Sequence, residues 1–355
     1  MARVFLIAAG GTGGHLFPGL AVADVLRARD PSVQVVFVGT PRGLEGRLVP
    51  AAGYGLELLP ILPLNAVGWW RALLGLLALP RAFVRAFALL RRLRPEGVLG
   101  VGGYAGGPIV LLASVLRVRT VILEPNARPG FTNRTLLPFV GRAACAYAET
   151  RLLFGRKAVL TGNPVRAEFA RIERPEHRPP LVLLAFGGSQ GSRRLNRALV
   201  DALPLLPGAQ GLRIVHQTGE SERAEIAAAY AARGREAEVL AFLDDMPARF
   251  AAADLVLSRS GATTCAELAA AGRASVLVPF AQAADDHQRQ NARAMQAAGA
   301  SRMIEEKDLS GPVLARVVRE LLEAPERLLA MERAALRMAR PDAAERVADL
   351  LEGVA

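Results

Sequence analysis

The chain holds 355 residues, 52% of them apolar, with 34 glycines and two cysteines, and its 44 Lys and Arg exceed its 33 Asp and Glu for a formal net charge of +11. That length exceeds one ordinary α/β domain and suits two. The positive balance points to anionic partners, but aromatics at only 5% and the lack of any zinc-finger or helix-turn-helix pattern exclude nucleic acid from the expected ones, while Cys145 and Cys265 stand too far apart for a disulfide framework or metal cluster and fit a reducing compartment. Met1-Ala2-Arg3 runs into a strand with no signal-peptide pattern.

Val4-Phe5-Leu6-Ile7-Ala8-Ala9 predicts a buried strand. Gly10, Gly11, Gly13, Gly14 and His15 follow, and from Leu16 apolar residues recur at helical spacing through Leu20, Ala23 and Leu26. Strand, glycine turn and helix together aim free backbone N–H groups and a positive helix end at an anion. The loop departs from the dinucleotide fingerprint, because Leu16 takes the third glycine position. The second strand, Val33–Val38, ends in Gly39-Thr40 with no ribose-binding acid. No Gly-Lys-Ser/Thr follows at P-loop spacing.

Residues 61–96 are the most apolar stretch. The unbroken run Ala72–Leu79 is shorter than the roughly 20 residues that cross a bilayer, and Pro80, Arg81 and Arg85 interrupt its extension. A helix bearing Trp69, Trp70, Leu73, Leu77, Phe83 and Phe87 among arginines has two readings. It is an interfacial element on an anionic membrane surface, or an ordinary amphipathic helix with one face in the core; the paired tryptophans favour the membrane.

Gly97–Val101 is the next strand, ending in a third glycine loop, Gly102–Gly107, with Pro108 at a first helical turn. Thr120–Leu123 delivers Glu124-Pro125-Asn126 past a strand's carboxyl end, where open α/β sheets bind ligands. Asn133 follows on a helix. Thr161–Arg166 closes the first half, and the proline-rich, charged stretch to Pro180 reads as a linker. Leu181–Val200 repeats the opening grammar, with Gly187–Gly191 between strand and helix. Further strands are predicted at Leu212–His216, Glu238–Phe242, Leu255–Ser258 and Ser275–Val278. From Leu309 the chain reads as helices broken at Pro325 and Pro341, without a chemical motif. The predicted architecture is α/β: two Rossmann-like, doubly wound parallel-sheet domains, 1–162 and 163–340, with a ligand between them and 341–355 packing back on the first.

The segments GGTGGHLFPGLAVA (Gly10–Ala23), GGYAGGP (Gly102–Pro108), EPNARPGFTN (Glu124–Asn133), TGNPVR (Thr161–Arg166), FGGSQGSR (Phe186–Arg193), RSGATTCAE (Arg259–Glu267) and DDHQRQNA (Asp285–Ala292) occur in that order over nearly the whole chain. Together they resemble the MurG family of glycosyltransferases. The resemblance implies a GT-B fold and an inverting, metal-independent hexosyltransferase without cofactor. It implies transfer of N-acetylglucosamine from UDP-N-acetylglucosamine to the 4-hydroxyl of the muramyl sugar of lipid I. The setting it implies is peptidoglycan synthesis at the cytoplasmic face of the cell membrane, alongside other cell-wall proteins.

By the same resemblance Thr12, Gly13, Gly14, Asn126, Arg166, Ser189, Leu243, Arg259, Ala262, Thr263, Thr264, Glu267 and Gln288 belong to the donor site. Glu267 would hold the ribose hydroxyls, and Leu243 would meet uracil through its backbone. Gly103, Tyr104 and Asn133 belong to the acceptor's diphosphate, and Trp69, Trp70, Leu73, Leu77 and Phe83 to the membrane. Read from chemistry alone, Ser189, the Gly187–Gly191 amides and the helix end behind them can hold a diphosphate without metal, and Arg166 adds a fork of donors. The reaction needs a base. His15, titrating near neutral pH beside a glycine loop, is the first candidate and Glu124 the second; the competing reading of His15 is a residue that orders the loop or binds acceptor phosphate. Asp244-Asp245 and Asp285-Asp286 lack metal-site spacing, so no metal is expected. The competing readings of the whole chain are a GT-B transferase with another nucleotide sugar or lipid acceptor, and a non-catalytic nucleotide-sugar-binding scaffold.

Overall fold

The computed structural model describes residues 3–10, 13–41, 43–59, 69–103, 106–173 and 175–354, apart from the side chains of 69–79 and of Ala284. The chain divides into two compact units. Unit 1 comprises Met1–Arg166 with Arg340–Ala355, and unit 2 comprises Ala167–Ala339.

Among the described residues, unit 1 is built on seven strands: β1 (Val4–Ala9), β2 (Gln34–Gly39), β3 (Gly55–Leu58), β4 (Gly97–Gly102), β5 (Arg119–Glu124), β6 (Arg142–Cys145) and β7 (Ala158–Leu160). They pair in the order β3-β2-β1-β4-β5-β6-β7, parallel throughout. Unit 2 has β8 (Leu181–Phe186), β9 (Leu212–Gln217), β10 (Glu238–Leu240), β11 (Leu255–Ser258), β12 (Ser275–Leu277) and β13 (Ser301–Met303). Their order is β10-β9-β8-β11-β12-β13, again parallel. Unit 2 therefore repeats the winding of the first six strands of unit 1. The direction of winding reverses between β1 and β4, and between β8 and β11. Loops leaving those strands are where a doubly wound sheet opens a crevice for ligands.

Helices cover both faces of each sheet, so the central strands must be apolar on both sides. In β1, Phe5, Ile7 and Ala9 enter one core cluster while Leu6 and Ala8 enter the other, the two-residue alternation of an extended chain. The helix Ala343–Glu352 returns to unit 1 and places Val347, Leu350 and Leu351 in the first of those clusters. Arg3 and Arg29 reach Glu352 at 3.0 and 2.7 Å and fasten its end.

The stretch read as a linker is fastened to unit 2. Phe169 is fully buried, edge-on to Phe250 at 5.1 Å. Arg273, also fully buried, donates to the carbonyls of Phe250 and Glu173, and His177 Nδ1 lies 2.8 Å from Asp254.

The helix Trp69–Leu93 buries Ala82, Ala86, Leu89 and Leu90 against the sheet of unit 1. Its outer side carries Val84 (68% exposed) and Phe87 (45%) between exposed Arg81, Arg85, Arg91 and Arg92. Phe83 is half-buried, so Val84 and Phe87 rather than Phe83 present the apolar surface. The side chains of Trp69, Trp70, Leu73 and Leu77 lie outside the described residues. Among the described residues no helix is long and apolar enough to cross a membrane.

Candidate functional site

In unit 1, His15 sits in the first turn of the helix Gly13–Arg29, at the carboxyl end of β1. It is half-buried. Its ring lies against the backbone that leaves β4: a Cβ on Gly102 would come within 2.9 Å of the ring's Cδ2, and one on Gly103 within 2.6 Å of the Gly10 carbonyl. Both glycines hold positive φ, 109° and 76°. Only a residue without a side chain both turns the chain there and leaves room for the imidazole. His15 therefore stands between two glycine loops at the point where the winding reverses, with Gly13 and Gly14 half-buried beside it. Thr12 and Tyr104 lie outside the described residues.

Glu124, the last residue of β5, is 1% exposed. Its Oε1 accepts from the N–H and the side-chain amide of Asn126, both at 3.0 Å; its Oε2 accepts from the Gly130 N–H and the Asn133 amide, both at 2.9 Å. Four donors fill the lone pairs of a carboxylate. Burial pushes the Glu124 carboxyl above its ordinary value while these four N–H groups pull against it. With its acceptors occupied and no exposed face, Glu124 is a clamp on the 124–133 loop, which argues against its reading as second base. Asn133 is 4% exposed and divides its two amide hydrogens between Glu124 and the Leu123 carbonyl. Those two bonds tie the start of its helix to the end of β5. Asn126 stays half-buried at the loop's edge, its carbonyl held by Thr150 at 2.7 Å. The Arg166 guanidinium, from the end of the unit 1 segment, stacks over the ring of Phe17, two residues past His15, 4.7 Å from its centroid.

In unit 2 the loop Gly187–Gly191 leaves β8, and Ser189 is exposed at its tip. Gly188 and Gly191 take φ of 90° and 74°, and the Gly191 N–H closes a turn on the Gly188 carbonyl at 2.9 Å. Ser192 caps the helix Arg193–Ala202, its hydroxyl accepting from Leu195 N–H. An exposed glycine turn running into a capped helix leaves N–H groups for an anion.

Arg259, at the end of β11, is 8% exposed. Its Nε and one Nη donate to the Ser192 hydroxyl, the same Nη reaches Glu306, and the other Nη donates to the carbonyls of Val278 and Pro279. All five N–H groups of the guanidinium are thus engaged. Arg259 braces the loop through its helix cap. Burial works against the Glu306 charge, yet the Ala281 N–H and Arg259 hold its carboxyl below the ordinary value.

Along the helix Ala262–Ala271, Ala262 and Thr264 are half-buried, Thr263 is 7% exposed and Glu267 only 5%, so Glu267 is no exposed surface carboxylate. Leu243 is 5% exposed, in the loop after β10. Gln288 Oε1 accepts from Phe280 N–H at 3.0 Å, and its carbonyl accepts from Ser260 at 2.8 Å. The structure therefore gathers Ser189, Glu267, Leu243 and Gln288 around the carboxyl ends of the unit 2 strands. Among the described residues no group of three or more His, Cys, Asp or Glu side chains is placed to hold a metal ion.

Two supporting residues went unread in the sequence. Ser192 carries a local signal, a serine immediately before a helical apolar pattern. Glu306 carries none, because its partner Arg259 lies 47 residues away.

Residues 5–145 match the glycosyltransferase family 28 N-terminal domain, and residues 182–347 match the glycosyltransferase family 28 C-terminal domain. The UDP-N-acetylglucosamine–N-acetylmuramyl-(pentapeptide) pyrophosphoryl-undecaprenol N-acetylglucosamine transferase of Anaeromyxobacter dehalogenans (strain 2CP-1) is 49% identical over 350 residues, 97% of this chain and 91% of that protein. The transferase of the same name from Myxococcus xanthus is 46% identical over 97% of this chain and 91% of its own. The crystal structure of MurG from Acinetobacter baumannii superposes with a TM-score of 0.80 at 32% identity, covering 99% of this chain and all of that one. With both halves matched in order and both sheets wound alike, the chain belongs to glycosyltransferase family 28.

Proposed function

We propose that this glycosyltransferase moves N-acetylglucosamine from UDP-N-acetylglucosamine to the 4-hydroxyl of the muramyl sugar of lipid I, giving lipid II and UDP. The observation that carries this is the 49% identity over 97% of the chain to a transferase named for that donor and acceptor, on a scaffold with a glycine loop at the winding reversal of each unit. The donor's diphosphate belongs on the exposed Gly187–Gly191 turn, where Ser189 and the helix end supply donors as the phosphate becomes a leaving group. Glu267 accepts from the ribose hydroxyls, the Leu243 backbone meets the uracil, and Gln288 meets the sugar. Arg166, Asn126 and Gly13–Gly14 complete the same proposal for the donor.

His15 takes the proton from the acceptor's 4-hydroxyl. The oxygen then bonds to the anomeric carbon, the bond from that carbon to UDP breaks with inversion, and UDP leaves with the electron pair. The glycine loops beside His15, with Gly103, hold the acceptor's diphosphate. The acceptor's lipid tail stays in the bilayer. The exposed Val84 and Phe87 among Arg81, Arg85, Arg91 and Arg92 suit an anionic membrane surface, which we take to be the cytoplasmic face.

The test is incubation of the chain with UDP-N-acetylglucosamine and a soluble lipid I analogue in EDTA, beside Glu267→Ala. Disaccharide product from the parent, lost in the variant, is the expected outcome. Donor binding with no product would overturn the acceptor assignment.

A further inference from the structure

We propose that His216 and Tyr230, in the core of unit 2, are positioning residues for the donor-phosphate loop, acting through Asn196 in a directed chain of hydrogen bonds. The proposal rests on the donor-site reading above.

Each member of the chain is buried: His216 and Asn196 are 0% exposed, Thr218 1%, Tyr230 2% and Glu222 4%. Asn196 lies in the first turn of the helix that leaves the loop. Its side-chain Nδ2 donates to the Thr218 carbonyl at 2.9 Å and to Glu222 at 2.7 Å. Both partners accept only, so the amide orientation is settled and Oδ1 faces His216 Nε2, 3.1 Å away. Nε2 must therefore carry the hydrogen. Nδ1 is left as the acceptor and takes the Tyr230 O–H at 3.1 Å. Burial pushes His216 down to about 4, so the ring stays neutral and keeps the single tautomer this pattern needs. At the other end Glu222 accepts from Arg193 Nε at 2.9 Å, in the first residue after the helix cap.

The chain ends on the wall against which the loop is pressed. A Cβ on Gly191 would come within 1.9 Å of the Thr218 carbonyl oxygen, and one on Gly219 within 2.3 Å of the Gln190 carbonyl oxygen. Backbone meets backbone there with no side chain between. A shift at Thr218–Gly219 is transmitted directly to residues 187–191. Without the Tyr230 O–H, the buried His216 Nδ1 loses its donor, and the ring that bears on Asn196 Oδ1 is held by one hydrogen bond fewer.

The experiment measures UDP affinity by calorimetry and thermal stability side by side in the parent chain, Tyr230→Phe and Asn196→Ala. Tyr230→Phe keeps the ring and removes only the hydroxyl, so folding is preserved. Losing one directed hydrogen bond is expected to weaken UDP about threefold to tenfold in Tyr230→Phe, and Asn196→Ala to weaken it by about tenfold or more. UDP affinity within about twofold of the parent in both variants, with only the melting temperature lowered, would show plain core packing and overturn the proposal. Loss in Asn196→Ala alone would confine the support to Asn196 and overturn the roles of His216 and Tyr230. A parent chain that does not bind UDP would instead overturn the donor-site reading.

Discussion

Units 1 and 2 wind their strands in the same order, yet they hold their glycine loops in different ways. In unit 1 the loop after β1 has a titratable ring, His15, set against the bare backbone of Gly102 and Gly103. Two strands along the sheet, Glu124 gathers four N–H groups and clamps a different loop, 124–133. In unit 2 the loop after β8 has no titratable ring at the matching place. Instead it is braced from behind by Arg259 through Ser192 and by Asn196 through Thr218. One winding thus offers a half-buried imidazole in unit 1 and a braced turn of N–H groups in unit 2. A base must exchange protons and needs access, whereas an anion cradle must not relax when charge leaves.

The sharpest way to break this division is His15→Ala. The loss of a general base lowers kcat by about 10²–10⁴-fold, while UDP affinity, measured by calorimetry, stays at the parent's value. A loss below about tenfold would remove His15 from the base role.

A paired test uses the glycines. Gly191→Ala places a Cβ on the Thr218 carbonyl at a φ of 74°, and Gly103→Ala places one on the Gly10 carbonyl at 76°. Each is expected to destabilise its unit by about 2–4 kcal/mol from the strained backbone and the clash. At a temperature where both variants remain folded, Gly191→Ala should abolish UDP binding, and Gly103→Ala should spare it while raising KM for the acceptor analogue. If the two variants behave alike, the division of labour fails.

Acid titration sharpens the unit 2 brace. Glu306 is held below its ordinary value in the folded chain, so its contribution is present above the unfolded carboxyl value and is lost as pH falls through the folded one. Thermal melts from pH 7 down to pH 3 should show a shallower acid limb for Glu306→Gln than for the parent. An unchanged limb would mean that other groups dominate. The smallest effect concerns the membrane: Arg85→Ala should weaken flotation with anionic vesicles about fivefold, the equivalent of roughly 1 kcal/mol.

The fold was legible where strands are long. VFLIAA and LVLLAF are continuous apolar runs closed by glycine, and both are the first strands of their sheets. The strands that escaped reading are short: GLEL, RAAC, AVL and SRM. Of these, β3, β7 and β13 lie at sheet edges, where one side of the ladder is open and fewer apolar residues are required. The sequence also read the stretch from 167 to Pro180 as a linker from its prolines and charges, whereas a fully buried arginine fastens that stretch to unit 2.

By itself the sequence determined the two strand-glycine-helix openings and the order of the segments that mark the family, because tight turns and helix starts are written in neighbouring residues. Only the tertiary structure decided which polar side chains are spent on support and which are left to act. Arg259, Asn133 and Glu124 read as ligands or a base, and each is tied to partners within its own unit that the reading did not include. Two of those partners, Ser192 and Glu306, lie 67 and 47 residues from Arg259. Hydrogen-bond saturation depends on which distant backbone and side-chain groups the sheet order brings together, and no local spacing encodes that.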